Sequence, residues 1–369
     1  MRIREMAKAA FTLLAFAAFF LTFSSTTTAQ PGLRSNEIKQ DWWNINRIEP
    51  YKLAPNATKM SFIKVKGNSF VDENGKVIVF KGLSISDPDK IIKDGRWSKK
   101  HFEVIKSWGA NIVRIPVIPI SVHQRGIEEY VRILDEAVTW CNELGIYVII
   151  DWHSIGNLKS EVLAHDMMNT TKKETYNFWA TIAEHYKDIP TVAFYELFNE
   201  PTTFNNRYGT CTWEEWKVIV EEMIDIVYAF DKNVIPLVAG FNWAYDLTPV
   251  RDNPINREGI AYVTHPYPGK RPVPREPKWE QDFGFVADKY PLVATEIGFM
   301  KGGDDKTLHD DGIYGASLMN YFNKKGISWM VWVFDPYWVP QMIESWNYEP
   351  TEQGKFFRDV MQGKFKYKK

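Results

Sequence analysis

Short apolar runs rich in β-branched and aromatic residues recur along this chain, and each gives way to a stretch with helical periodicity. The runs at 80–84, 110–116, 147–152, 192–197, 235–239, 260–264, 291–296 and 328–333 have the length and bulk of strands. Apolar positions at helical spacing fill 99–108, 128–144, 173–186, 213–230, 279–289 and 314–325, with a last helix at 351–361. The connection 242–258 is polar, carries two prolines and has room for only a short helix. Val148-Ile149-Ile150 and Pro291-Leu292-Val293-Ala294 are unbroken apolar runs, as parallel strands covered by helices should be. Eight strands alternating with helices predict an α/β chain folded as a single (β/α)8 TIM barrel. An open doubly wound sheet fits less well. Its first strand should lead into a glycine-rich phosphate loop, and here that strand ends in Leu83-Ser84-Ile85-Ser86. Ahead of the barrel, 62–65, 70–71 and 77–80 alternate around Asp72-Glu73-Asn74-Gly75, which predicts an N-terminal β-hairpin.

Composition adds the boundaries. A chain of 369 residues, 45% hydrophobic and 15% aromatic, can bury a large core, and the barrel domain is placed at 59–369. Residues 30–58, with Pro31, Gly32, Pro50 and Pro55, read as an irregular arm that the Trp42-Trp43 pair docks onto the body. Residues 1–29 read as a signal peptide: Arg2, Arg4 and Lys8 precede an apolar stretch at 9–23, and Thr27-Thr28-Ala29 suits cleavage. That stretch is shorter than the roughly 20 residues a spanning helix needs. The expected mature protein is therefore secreted or periplasmic, a monomer, and not held in a membrane. Net charge is −1, so nothing favours a phosphate backbone and nucleic acid is excluded as a partner. Two cysteines, Cys141 and Cys211, specify no disulfide at 70 positions apart, and Cys141 falls in a helical pattern as a buried thiol would. With seven scattered histidines they form no metal-ligand spacing, so no metal and no cofactor is expected.

Barrel chemistry belongs at the C-terminal ends of the strands, and that rule selects positions here. Arg114 lies near the end of the second strand, Asp151-Trp152-His153 at the third and Asn199-Glu200 at the fourth. Phe241-Asn242-Trp243 follows the fifth, His265-Pro266-Tyr267 the sixth, Glu296 ends the seventh and Trp332 the eighth. Each has an ordinary structural explanation alone: an ion pair for Arg114, a core histidine for His153, core packing for Trp332, a helix cap for Glu296. Their joint placement on seven different strand ends is what favours chemistry. Glu200 and Glu296 would give two carboxylates facing across one mouth, the minimum for cleaving a glycosidic bond.

The stretches Asn111-Ile112-Val113-Arg114-Ile115-Pro116, Val148-Ile149-Ile150-Asp151-Trp152-His153, Leu197-Phe198-Asn199-Glu200-Pro201, Val263-Thr264-His265-Pro266-Tyr267, Val293-Ala294-Thr295-Glu296-Ile297-Gly298 and Trp329-Met330-Val331-Trp332 resemble, in order and spacing, those of glycoside hydrolase family five. The resemblance runs from about Phe62 to Met361, and no part of the family's eight-residue pattern is missing. It implies a retaining glycosidase with Glu200 as acid/base, Glu296 as nucleophile and carboxylates about 5–5.5 Å apart. Glu200 would hold the proton, and Arg114 would keep Glu296 ionised. Tyr267 would orient Glu296, Asn199 would bond the sugar 2-hydroxyl, and His153 and His265 would bind hydroxyls or place the carboxylates. Trp332 would floor that sugar's site, with Trp152, Trp243 and Trp338 as candidates for further subsites. The expected partner is a β-linked polysaccharide, first a β-1,4-glucan, with mannan, xylan or xyloglucan as alternatives. A catalytically silent carbohydrate-binding barrel and a metal-dependent hydrolase are the other classes. Retention of both glutamates weighs against the first, and the lack of a His-x-His pair against the second.

Overall fold

The protein is represented by a computed structural model that describes residues 48–302 and 305–368. The expected signal peptide and residues 30–47 of the expected arm, Trp42 and Trp43 included, lie outside the described residues. The rest of the arm runs without regular structure along two helices. The Tyr51 backbone N–H donates to the His185 carbonyl at 2.8 Å, and Asn142 accepts from the Thr58 N–H at 2.9 Å.

Three short strands come first: β1 (Lys64–Lys66), β2 (Ser69–Val71) and β3 (Val77–Ile78), paired antiparallel. They fall on the three alternating stretches of the expected hairpin region. Phe70 reaches from it onto Phe80 and Phe194, ring centroids 5.7 and 5.1 Å apart, so the hairpin's apolar face joins the core between the barrel strands.

The barrel itself closes as expected. Strands β4 (Lys81–Ser84), β5 (Ile112–Val117), β6 (Tyr147–Trp152), β9 (Val192–Glu196), β11 (Ile235–Ala239), β12 (Ala261–Val263), β13 (Leu292–Ile297) and β14 (Ser328–Val331) pair in parallel, and β14 returns to β4. Gly82 in β4 has a packing reason: a Cβ there would sit 2.0 Å from the Ile112 carbonyl oxygen of the next strand. The long amphipathic helices Ile127–Leu144, Lys172–His185 and Trp213–Phe230 lie where periodicity placed them. Thr212 and Glu215 cap the last of these reciprocally, which fixes its start.

Local departures follow from packing. The expected helix at 279–289 is instead a helix at Glu276–Asp282 followed by a 3-10 turn at Gly284–Asp288. A Cβ at Gly284 would overlap the Tyr321 hydroxyl, so the close packing of this turn on Tyr321 requires glycine. Two short helices, Pro88–Lys93 and Pro119–Arg125, were not expected; each opens on a proline, which suits a first helical turn. A small extra sheet orders β10 (Glu200–Pro201), β7 (Ile155–Asn157) and β8 (Val162–Leu163) above the barrel mouth. Among the described residues no helix is long and apolar enough to cross a membrane. Cys141 is a buried free thiol and Cys211 a half-buried one.

Candidate active site

Two local devices aim the glutamates. Glu200 sits just beyond β9 in β10, whose backbone is held by β7: its N–H donates to Ser154 at 3.0 Å and the Thr202 N–H donates to Gly156 at 2.8 Å. Gly156 has φ +136°, and a Cβ there would lie 2.7 Å from the Val162 carbonyl oxygen, so this pairing demands glycine. Glu296 sits in an irregular register of β13, where Ala294 and Ile297 pair with Trp329 and Val331. One extra residue is accommodated on the β13 side. The bulge lets Thr295 and Glu296, consecutive residues, both reach the interior.

Arg114, fully buried, organises the floor. Its Nε and Nη2 donate to the two carboxylate oxygens of Glu196 at 2.7 and 3.1 Å. Nη1 donates to Glu296 Oε1 at 2.9 Å and to Ser84 Oγ at 3.3 Å. Nη2 also meets Asn199 Oδ1 at 2.7 Å and Asp151 Oδ2 at 2.9 Å. Committing the Asn199 oxygen to Arg114 leaves its amide N–H groups as the donors for a ligand. Tyr267 donates its hydroxyl to the other Glu296 oxygen at 2.9 Å. Glu296 therefore holds two donors on two oxygens.

His265 connects the two halves. Its Nδ1 lies 3.0 Å from Glu200 Oε1 and its Nε2 2.9 Å from Thr295 Oγ1, and Thr295 donates onward to Glu196 at 2.8 Å. Burial pulls the His265 imidazole down, but Glu296, Glu196 and Glu200 outweigh it and hold it at about 9. It is an imidazolium at neutral pH, with both nitrogens donating. His153 behaves oppositely. Burial and the Arg114 charge bring it down to about 4, so it is neutral. Its Nδ1 donates to Asp151 Oδ2 at 2.7 Å, which leaves Nε2 as an acceptor. Its ring lies parallel to Trp332, centroids 5.1 Å apart, and Trp338 stacks on Trp332 from 5.8 Å.

One oxygen each of Glu200 and Glu296 and one His265 nitrogen all lie within 4.8 Å of one another. The Glu200 side chain is 12% exposed and the Glu296 side chain 6%, so Glu200 is the more accessible of the two to solvent. Burial pushes the Glu296 carboxyl above its usual range, while His265 and Arg114 oppose that push and Glu200 adds to it. The Arg114 charge alone would leave Glu296 readily ionised; its burial works against that charge.

Seven of the eight expected residues are joined by these hydrogen bonds or ring contacts to the Arg114–Glu296 centre, and Trp332 completes the set with Arg114 5.9 Å from its ring. Among the outer candidates, Trp338 borders the site. Trp243 lies on its far side, in a turn where Asn242, Trp243 and Ala244 have φ of 58°, 54° and 56°. Three consecutive non-glycine residues there cost about 1 kcal/mol or more each, and such strain concentrates at ligand sites. Trp152 is a correction. It is fully buried and packs on Phe178 at 4.2 Å, because alternation along β6 points Asp151 inward and Trp152 outward to the helices. It cannot line a subsite.

Glu196 was missed. It is a fully buried carboxylate, and a charged residue inside the apolar run 192–197 was the available signal. Burial raises it, but the Arg114 charge and bonds from His265 and Arg114 win and hold it at about 2. This lies below the ordinary 4.5, so its stabilisation is complete above about pH 4.5 and lost as pH falls toward 2. The melting-temperature gap between wild type and Glu196→Gln should accordingly be widest at neutral pH and narrow through that interval. A gap that stays constant would contradict the ion pair's role.

The sequence pattern of the cellulase family, glycosyl hydrolase family 5, matches residues 71–337. The chain belongs to glycosyl hydrolase family 5. This family member is 29% identical over 213 residues to an endoglucanase of Clostridium saccharobutylicum, covering 56% of this chain and 43% of the relative. It is 28% identical to endoglucanase A of Butyrivibrio fibrisolvens, covering 60% and 49%. The chain thus spans less than half the length of each of these curated relatives. A β-glucanase of Saccharophagus degradans solved in complex with cellotetraose is 47% identical, with a TM-score of 0.85 over 88% of this chain and 99% of that one. The catalytic domain of the major endoglucanase of Xanthomonas campestris, at 20% identity and a TM-score of 0.65, shares the fold.

Proposed function

We propose that this family 5 chain is a secreted endo-acting β-1,4-glucanase that works by double displacement with retention at the anomeric carbon. The observation that carries the reading is the Glu200–Glu296 approach within 4.8 Å. It matches the roughly 5–5.5 Å of retaining pairs and leaves no room for the water of an inverting pair. Glu296 attacks the anomeric carbon and Glu200 protonates the departing oxygen. Water then enters on the vacated face, gives its proton to Glu200 and releases Glu296. When Glu200 carries the proton, one upward push on Glu296 disappears and its two donors favour the carboxylate. Asn199 offers N–H groups to the 2-hydroxyl, His153 Nε2 accepts from a hydroxyl, and Trp332 supplies the flat floor.

Substrate and mode rest on two supports. The 47%-identical glucanase binds a β-1,4-linked glucose tetramer. Exposed aromatic side chains occur in the loops after two different strands, Tyr337 (68%) after β14 and Phe204 (41%) after β10, which suits a chain running through rather than ending there. Export rests on the sequence pattern at 1–29, a basic start followed by an apolar stretch and small residues, which suits a cleaved leader. Proton NMR of the first products from cellotetraose or soluble glucan tests the mechanism. Initial β-anomer is expected, and initial α-anomer would refute retention. Among barley β-glucan, carboxymethylcellulose, glucomannan, galactomannan, xylan and xyloglucan, the glucose polymers should release oligosaccharides fastest. Faster release from galactomannan or xylan would overturn the substrate.

A further inference from the structure

Lys270 lies in the short turn Pro268–Lys270 that follows Tyr267, half-buried at the rim of the site. Its ammonium donates to the Asn242 carbonyl at 2.9 Å and stands 4.8 Å from the centre of the Trp243 ring. Both anchors belong to the left-handed turn after β11, so Lys270 braces the strained segment. Trp243 in turn meets Phe204, centroids 5.1 Å apart. Among the described residues no carboxylate lies within ion-pair distance of Lys270, and the negative charges it feels are those of Glu200, Asp305 and Glu296. Burial pulls this ammonium below the usual lysine range. An ammonium carries three N–H donors, and the Asn242 carbonyl takes one. A half-buried cation pinned at 2.9 Å to one carbonyl and 4.8 Å from the Trp243 ring has N–H donors left over for the hydroxyl oxygens of a ligand.

The placement tells which sugar that is. Arg114, His153, Trp332 and Trp338, the groups proposed around the sugar being cleaved, come from β5, β6, β14 and the loop after it. Lys270, Trp243 and Phe204 come from the loops after β12, β11 and β10, across the Glu200–Glu296 pair. A glucan threaded between the two carboxylates leaves over that second wall.

We propose that Lys270 is a specificity residue of the leaving-group side, its ammonium donating to hydroxyl oxygens of the sugar released from the scissile bond. This rests on the glucanase reading. It also gives that side a polar contact that an aromatic wall alone does not provide. Such a contact rewards a hydroxylated leaving group over a flat aromatic one of the same size.

Lys270→Met keeps the length and removes the donors, and Lys270→Arg keeps a cation with N–H groups. The test compares kcat/KM for cellotetraose with that for p-nitrophenyl cellobioside, whose leaving group has no sugar hydroxyls. Lys270→Met should lose at least about tenfold more on cellotetraose than on the aryl substrate, the size expected for losing a charged hydrogen bond. Lys270→Arg should recover part of that difference. Equal losses on both substrates, or none on either, would overturn the assignment while leaving the glucanase reading intact. Wild-type protein inert on both substrates would remove that reading and this inference with it. If Lys270→Met fails to fold, Lys270→Gln and Lys270→Arg make the same comparison, and an unchanged ratio in both overturns it.

Discussion

Glu296→Ala should lower kcat by on the order of ten-thousandfold or more on every substrate, whatever its leaving group, because no covalent intermediate can form without the nucleophile. Glu200→Ala should behave differently. On cellotetraose, whose leaving sugar needs a proton, the loss should be about a hundredfold to ten-thousandfold. On 2,4-dinitrophenyl cellobioside, which leaves unassisted, the glycosylation step should survive and a burst of dinitrophenol should appear before a slow steady state. Added azide separates the two variants further. In Glu296→Ala it attacks from the face the carboxylate occupied and gives the α-glycosyl azide. In Glu200→Ala it attacks the glycosyl-enzyme from the opposite face and gives the β-glycosyl azide. The asymmetry follows from the structure: Glu296 is clamped by Arg114 and Tyr267, while Glu200 has one donor, His265, and greater access to solvent. Interchanged azide products would reverse the role assignment.

The second large effect lies at Arg114. Arg114→Met keeps most of the side-chain volume but leaves the Glu196, Asp151 and Glu296 carboxylates in a buried site without their shared cation. Breaking a buried ion pair from one side costs about 3–5 kcal/mol, far more than the pair's net worth, because the remaining charges stay desolvated. For a domain of this size that means a fall in melting temperature of roughly 5–8 °C at pH 7. Activity should fall as well, since Asn199 loses its anchor and Glu296 one of its two donors. The sign of the pH dependence is fixed. Without the cation the carboxyls titrate higher, so acidification neutralises them and the variant should recover part of its deficit at pH 5. Thermal denaturation of both proteins at the two pH values measures this. A deficit that does not shrink on acidification would show that packing, not charge, is what Arg114 supplies.

The barrel and its mouth were legible in the sequence because both follow from periodicity. Buried parallel strands announce themselves as apolar runs, and the strand-end rule then picks Arg114, Glu200, His265 and Glu296. What the sequence concealed depends on partners far away along the chain. Trp152 looked like a subsite residue beside His153, yet a period of two along β6 turns the two in opposite directions. Glu196 looked like part of an apolar strand, and only its bond to Arg114, 82 positions away, explains a carboxylate there. The β13 bulge that turns both Thr295 and Glu296 inward leaves no mark in a run of strand formers. The same holds for β10 and β7, which pin Glu200 through backbone pairing that any residues could provide. The strained turn at Asn242-Trp243-Ala244 is equally silent, since asparagine favours such backbone and tryptophan and alanine do not.

The most direct measurement is to trap the covalent intermediate. With 2,4-dinitrophenyl 2-deoxy-2-fluoro-cellobioside, the good leaving group lets the first displacement proceed. The fluorine both destabilises, by induction, the positive charge the second step must develop and removes the hydroxyl that Asn199 would bind. The intact protein should gain the mass of one fluorocellobiosyl group, inactivate in step with that gain, and yield a labelled peptide whose fragments place the sugar on Glu296. A label on Glu200, or steady turnover with no label and α-configured product, would contradict the account.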